Sequence, residues 1–195
     1  MKKSYWVYLL IAVVVVAGGA WFLSSDKAPN LVTPTPERLV GDEAKLAEAI
    51  SSAEVQIPEL NITAKLVDGE ADFTDGGQVA GSVRLVSVLE QKALADGSYH
   101  VFANLSVDTG GTGTFNYVSL FHVSTEGVDN TSAVFVGDRV VIEGVTFGED
   151  LPEGGYRLSI NYLGRDLGDA MASEPTVADS LELRVADHQI TGLKY

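Results

Sequence analysis

Residues 99–107 read Tyr99-His100-Val101-Phe102-Ala103-Asn104-Leu105-Ser106-Val107, and their alternation decides the fold class. On an extended chain successive side chains point to opposite faces, so Tyr99, Val101, Ala103, Leu105 and Val107 share one side. A glycine-rich turn follows, Asp108-Thr109-Gly110-Gly111-Thr112-Gly113. Then Phe115, Tyr117, Ser119, Phe121 and Val123 alternate again. Two such runs around a glycine turn predict a β-hairpin.

The same period extends in both directions. Upstream, Ile62, Ala64 and Leu66 precede an Asp68-Gly69 turn, and Val83 to Leu89 is a mixed run. Downstream, Val134 and Val136 precede Gly137-Asp138, followed by Val140 and Ile142, then Val145 and Phe147. Tyr156, Leu158, Ile160 and Tyr162 alternate, as do Leu181, Leu183 and Val185. Ile190 to Leu193 closes a last hairpin after Asp187. About eight or nine short strands with turn signals between them predict an all-β domain, an antiparallel sandwich or barrel, over residues 60–195. Alternation rather than continuous apolar runs argues against a buried parallel sheet. No repeat of fixed period is present, which argues against a solenoid or propeller.

The N-terminal part reads differently. Lys2 and Lys3 precede an uncharged run, Tyr5 to Leu23, YWVYLLIAVVVVAGGAWFL. As a helix its ~19 residues span roughly 28 Å, the thickness of a bilayer's hydrocarbon core. Tyr5, Trp6 and Tyr8 at one end and Trp21 and Phe22 at the other suit the two membrane interfaces. The run is expected to be a transmembrane anchor (5–23) with residues 1–4 in the cytoplasm, since the lysines stay inside and the rest is exported. A cleaved signal peptide cut before Trp21 is the alternative, and both readings place the remainder outside. Pro29, Pro34 and Pro36 make residues 24–41 a semi-rigid tether. Residues 42–59 are expected to form a short helix and a connection. The helix lies near 42–51, with Asp42 as N-cap and an apolar stripe of Leu46, Ala49 and Ile50.

Composition narrows the chemistry. The 195 residues include no cysteine, which excludes disulfides, thiolate chemistry and Cys-ligated zinc. A net charge of −14 repels nucleic acid. Asp108 and its glycine turn offer a candidate Ca²⁺ site, set against a plain hairpin loop; no other cofactor is expected. Asp72, Asp75, Asp129 and Asp138 are read as turn residues. His100 and His122 alternate away from the apolar positions, onto a solvated or half-buried outer face. Together with His188 they would form a zinc site only by meeting in space, as no H-x-x-x-H or H-E-x-x-H pair exists. No G-x-S-x-G elbow or S-x-x-K motif is present. Phe115, Tyr117, Phe121, Tyr156 and Tyr162 are either core residues or a stacking surface for glycan. The connections Glu70–Gly81 and Gly164–Asp179 are long enough to be either binding loops or disordered segments.

Four phrases carry a resemblance: LVDGEA (66–71), GGTGTFNYVSLF (110–121), TSAVFVGDRVVIEGV (131–145) and GDAMASEP (168–175). Their order resembles an uncharacterised family of bacterial secreted proteins and lipoproteins, with the pattern GG-S/T-GTFYY, then FLGDR, then G-E/D-PMA. It covers about Leu60 to Val185. Family members carry an acidic, calcium-type GDLDGDG stretch before the glycine turn, of which only Asp96-Gly97 remains here. The lipoprotein cysteine is absent, with the Tyr5–Leu23 run in its place, and Ala170 rather than Pro precedes Met171. The resemblance implies secretion and fold and supplies no activity. The sequence-based expectation is therefore a membrane-anchored, extracytoplasmic β domain of the bacterial envelope. It is expected to be a non-enzymatic binding or envelope-interaction module with a protein or glycan partner. The alternative is an envelope hydrolase or glycan-processing enzyme built on carboxylates.

Overall fold

A computed structural model describes residues 43–75, 78–166, 168–170 and 173–192. The anchor residues Tyr5, Trp6, Tyr8, Trp21 and Phe22, the proline tether and Met171 lie outside the described residues, and among those described no helix is long and apolar enough to cross a membrane. The described residues belong to one compact unit.

One helix, α1 (Glu43–Ile50), is followed by eleven strands among the described residues: β1 (Glu54–Ile57), β2 (Ile62–Lys65), β3 (Glu70–Asp75), β4 (Gln78–Ala93), β5 (Tyr99–Asp108), β6 (Phe115–Ser124), β7 (Gly127–Asp138), β8 (Val141–Asp150), β9 (Tyr156–Gly164), β10 (Val177–Ala186) and β11 (Gln189–Gly192). Every pairing is antiparallel between chain neighbours. They make a hairpin β1-β2, a five-stranded sheet β3-β4-β5-β6-β7 and a four-stranded sheet β11-β10-β9-β8.

The expected all-β antiparallel architecture is present, with three departures. β1 begins at Glu54, so the 42–59 connection already contains a strand. Glu70–Gly81 is mostly the β3-β4 hairpin rather than a long loop. The third departure positions the site: the five-stranded sheet is covered on both faces. On one face Val101, Ala103, Leu105, Val107, Tyr117 and Phe121 pack with α1 (Leu46, Ile50) and the β1-β2 hairpin (Val55, Ile57). On the other, Phe102, Val118 and Leu120 pack against Tyr156, Leu158, Ile160, Leu183 and Val185 of the second sheet. Each fully buried Phe, Leu, Ile or Val stabilises by about 1.5–3 kcal/mol, so the second core is a principal contributor to the fold. The face expected to be open is an interior, because Phe102, Val118 and Leu120 are too apolar to be left in water.

Two local devices fix the geometry. Gly81 of β4 allows a close approach: a Cβ there would run into the Asp108 carbonyl oxygen and the Phe73 ring. At the other end of the domain Ala186 pairs with Gln189, leaving a two-residue turn of Asp187 and His188. Both have positive φ, 49° and 58°, the mark of a type I′ hairpin turn.

Candidate functional site: a buried histidine cluster

All three histidines of the chain meet at one end of the two sheets. His100 and His122 are direct cross-strand partners on β5 and β6, facing the second sheet beside Phe102 and Leu120. The β10-β11 turn brings His188 over them. Ring centroids are 5.1 Å apart for His100–His188, 4.3 Å for His122–His188 and 6.2 Å for His100–His122. His100 is only 4% exposed; His122 is half-buried and His188 exposed on its outer side. The expectation of a solvated or half-buried outer-face position is thus wrong for His100. The second sheet covers that face.

The hydrogen bonds define where the protons sit. Asp96 Oδ1 accepts from the Ser98 hydroxyl at 2.6 Å and from the Ser98 amide at 3.0 Å. The Ser98 hydroxyl bond, then the amide bond, hold the Asp96 carboxyl below its ordinary range. Ser98 has one proton, and the carboxylate takes it. His122 Nε2, 3.0 Å from Ser98 Oγ, must therefore be the donor in that bond. This order is the reverse of a serine nucleophile primed by a histidine base. On the other side, His100 Nδ1 lies 2.8 Å from the Tyr156 hydroxyl, and His100 Nε2 lies 2.8 Å from His188 Nδ1. Burial raises the Tyr156 pKa, so the phenol keeps its proton. The assignment that uses every proton runs from Tyr156 O–H to His100 Nδ1, and from His100 Nε2–H to His188 Nδ1.

Burial, then the neighbouring His188 and His122, push His100 down to about 4. It is neutral at pH 7. Lys92 of β4, the cross-strand partner of His100, stands 4.7 Å above the Tyr156 ring.

The cluster is not arranged as a zinc centre. Two nitrogens on one tetrahedral zinc stand about 3.3 Å apart, whereas His100 and His188 are close enough to share a proton. His122 gives its Nε2 to Ser98. Among the described residues no group of three or more His, Cys, Asp or Glu is placed to hold a metal ion. A cleft of about 310 Å³ opens beside His122, with Asp96, Ser98, Ser124 and Glu126 in its wall.

The other sequence candidates resolve as follows. Asp108 Oδ1 accepts the Gly110 amide at 2.7 Å, tying down its own turn. Asp138 Oδ1 accepts the Thr114 amide at 2.8 Å and closes the other end of that loop. Asp72 and Asp129 lie within β3 and β7, and Asp75 ends β3, so the turn reading fails for the first two. Tyr117, Phe121 and Tyr156 are core; Phe115 packs on the core edge. Tyr162 donates to Asp179 at 3.0 Å. These rings form no shared stacking platform. Phe135, 39% exposed on β7 against Phe115 and Tyr117, is an aromatic that the alternation did not single out. Gly164–Asp179 is a connection in part, since β9 ends at Gly164 and β10 begins at Val177. A groove of about 650 Å³ runs between Leu60, Asn61, Asp72, Phe73 and Thr109.

A scan against protein-family models matches none, and searches of curated proteins and of solved structures return no match.

Proposed function

We propose that this chain is a membrane-tethered binding module, an all-β domain displayed on the outer face of a bacterial cytoplasmic membrane, without enzymatic activity. The observation that carries the reading is the uncharged Tyr5–Leu23 run behind Lys2 and Lys3, long enough to span and flanked by aromatic residues. The proline tether then sets the domain off the bilayer.

The proton order at Ser98 supports the non-enzymatic part. A hydrolytic serine gives its proton to the histidine, and this one gives it to Asp96. A glycan-processing pair needs one carboxyl held protonated near neutrality. Asp96, the acid beside the histidines, is shifted the opposite way.

The test is protease accessibility of the full chain carrying a C-terminal epitope, in spheroplasts. Added protease should remove the epitope while a cytoplasmic marker survives. An epitope protected until the membrane is lysed would overturn the reading.

A further inference from the structure

We propose that His100, His122 and His188 form an acid-opened latch, which holds the β10-β11 hairpin against the five-stranded sheet while neutral and releases it when the cluster takes up protons. The geometry carries the proposal. His100 and His122 belong to the five-stranded sheet, and His188 sits at the tip of a hairpin of the other. The 2.8 Å bond between His100 and His188 joins rings from the two sheets, and it exists only while one nitrogen of the pair lacks a proton. A second proton turns the acceptor into a donor, so two N–H groups face each other with no acceptor between them and the pair takes on a positive charge.

The surroundings do not supply a compensating charge of matching strength. Lys92 from β4 adds a cation, itself 3.9 Å from Asp150 of β8. His122 from β6 and His188 from the β10-β11 turn add further imidazoles. Tyr156 from β9 is neutral. Asp96, from the β4-β5 turn, is the carboxylate that favours a charged cluster, and it acts through Ser98.

The backbone is built to hold His188 at this point. Its φ of 58° is the left-handed value that the type I′ turn requires, and that turn carries the ring over His100 and His122. Release has a defined consequence. β11 lies against β7, the edge of the five-stranded sheet, through Gln189 Nε2 to the Thr131 carbonyl at 2.6 Å and the Ile190 amide to Ser132 Oγ at 3.1 Å. An opened hairpin frees those groups, and an uncovered sheet edge is a template for strand addition. The latch belongs to the domain itself and stands whether or not the domain is displayed outside the cytoplasm.

The pH window follows from the sign of the shift. The closed state binds fewer protons than the open one, so closure is fully favoured above the ordinary histidine value of 6.5. It is lost as pH falls from there towards about 4. The test is hydrogen exchange on the full chain in detergent micelles at about pH 7.5 and about pH 5, corrected for intrinsic rates. Opening of β10-β11 amides relative to β5-β6 amides should rise by up to about 25-fold on acidification, from His100 alone. His188→Asn keeps the turn geometry and removes the ring while leaving His100 buried, so in that variant the rise should persist but be clearly smaller than in wild type. A wild-type rise below about threefold, including one in which both regions open together, overturns the latch. So does a His188→Asn variant that titrates like wild type.

Discussion

His100 Nε2 and His188 Nδ1 stand 2.8 Å apart although 88 positions separate them in the chain. The contact exists because β5 and the β10-β11 turn are carried to the same end of two stacked meanders. Tyr156 holds the other nitrogen of His100 and so selects the tautomer that points a proton at His188. Tyr156→Phe keeps the ring in the second core and strands His100 Nδ1 in a buried site. The expected cost is about 1–3 kcal/mol, seen as a lower urea midpoint with an unchanged slope. An unaltered midpoint would mean that the phenol bond contributes nothing.

Ser98 stands between Asp96 and His122, and its removal should be visible at both. Ser98→Ala deletes the largest cause of the depressed Asp96 carboxyl, leaving the weaker amide bond. The Asp96 titration, followed by carboxyl NMR, should therefore move up towards the ordinary 3.8. The sign for stability follows: a depressed carboxyl helps the fold above its unfolded pKa, and the help is lost as pH falls through the folded value. The variant should lose part of that acid-side dependence. An Asp96 titration that stays where it was would contradict the hydrogen-bond order drawn for the cluster.

Two glycines with similar backbones should respond very differently. Gly155, with φ +85°, opens β9 from a turn, and a Cβ there would meet the Val185 carbonyl oxygen, with Ala186 Cα and Cβ at 3.0 Å. Gly97, with φ +86°, has nothing within 4 Å of the added carbon. Gly97→Ala should cost about 1–2 kcal/mol, the backbone term alone. Gly155→Ala adds a clash with the β10 backbone at Val185 and Ala186 and should cost about 3 kcal/mol or more. Equal midpoints in urea would show that the β9-β10 approach is looser than described.

The strands that the sequence made legible are those whose alternation is unbroken: 99–107, 115–123, 156–162 and 181–185. β4 was harder. Its register slips between Leu85 and Ser87 and again between Val88 and Glu90, so no period of two survives along its length. The histidine site was hidden for a related reason. Reading one apolar face assigns the opposite face to water, and His100 and His122 go with it. The contrary signal was present: Phe102, Val118 and Leu120 share that face with the histidines, and three large apolar residues there ask for a second layer. That His188 would join them could not be read, because the pairing of the two sheets is set by packing and not by any local spacing. α1 was legible from Leu46 and Ile50, which the structure buries completely or nearly so, at 1% and 0% exposure.

Asn130 offers a test of how the β1-β2 hairpin is fastened to the main sheet. It sits in β7 where Leu120 pairs with Ser132 and Phe121 with Asn130, so Thr131 is the extra residue of a bulge. The Asn130 side chain donates from Nδ2 to Ser119 Oγ at 2.6 Å and to the Leu120 carbonyl at 3.0 Å. Its Oδ1 accepts the Gln56 amide of β1 at 2.7 Å. Asn130→Asp has the same shape and keeps an acceptor for Gln56, but turns the donor side into an acceptor facing a carbonyl. The expected loss at pH 7 is about 1–3 kcal/mol. Repulsion from that carbonyl should raise the folded pKa of the new carboxyl above its unfolded value, so the folded state prefers it protonated. The penalty relative to wild type should therefore shrink as pH falls towards about 4, where a proton restores a donor. Urea midpoints of both proteins at the two pH values decide the matter. A penalty that stays constant or grows on acidification would mean that Asn130 Nδ2 does not bond the Leu120 carbonyl in solution.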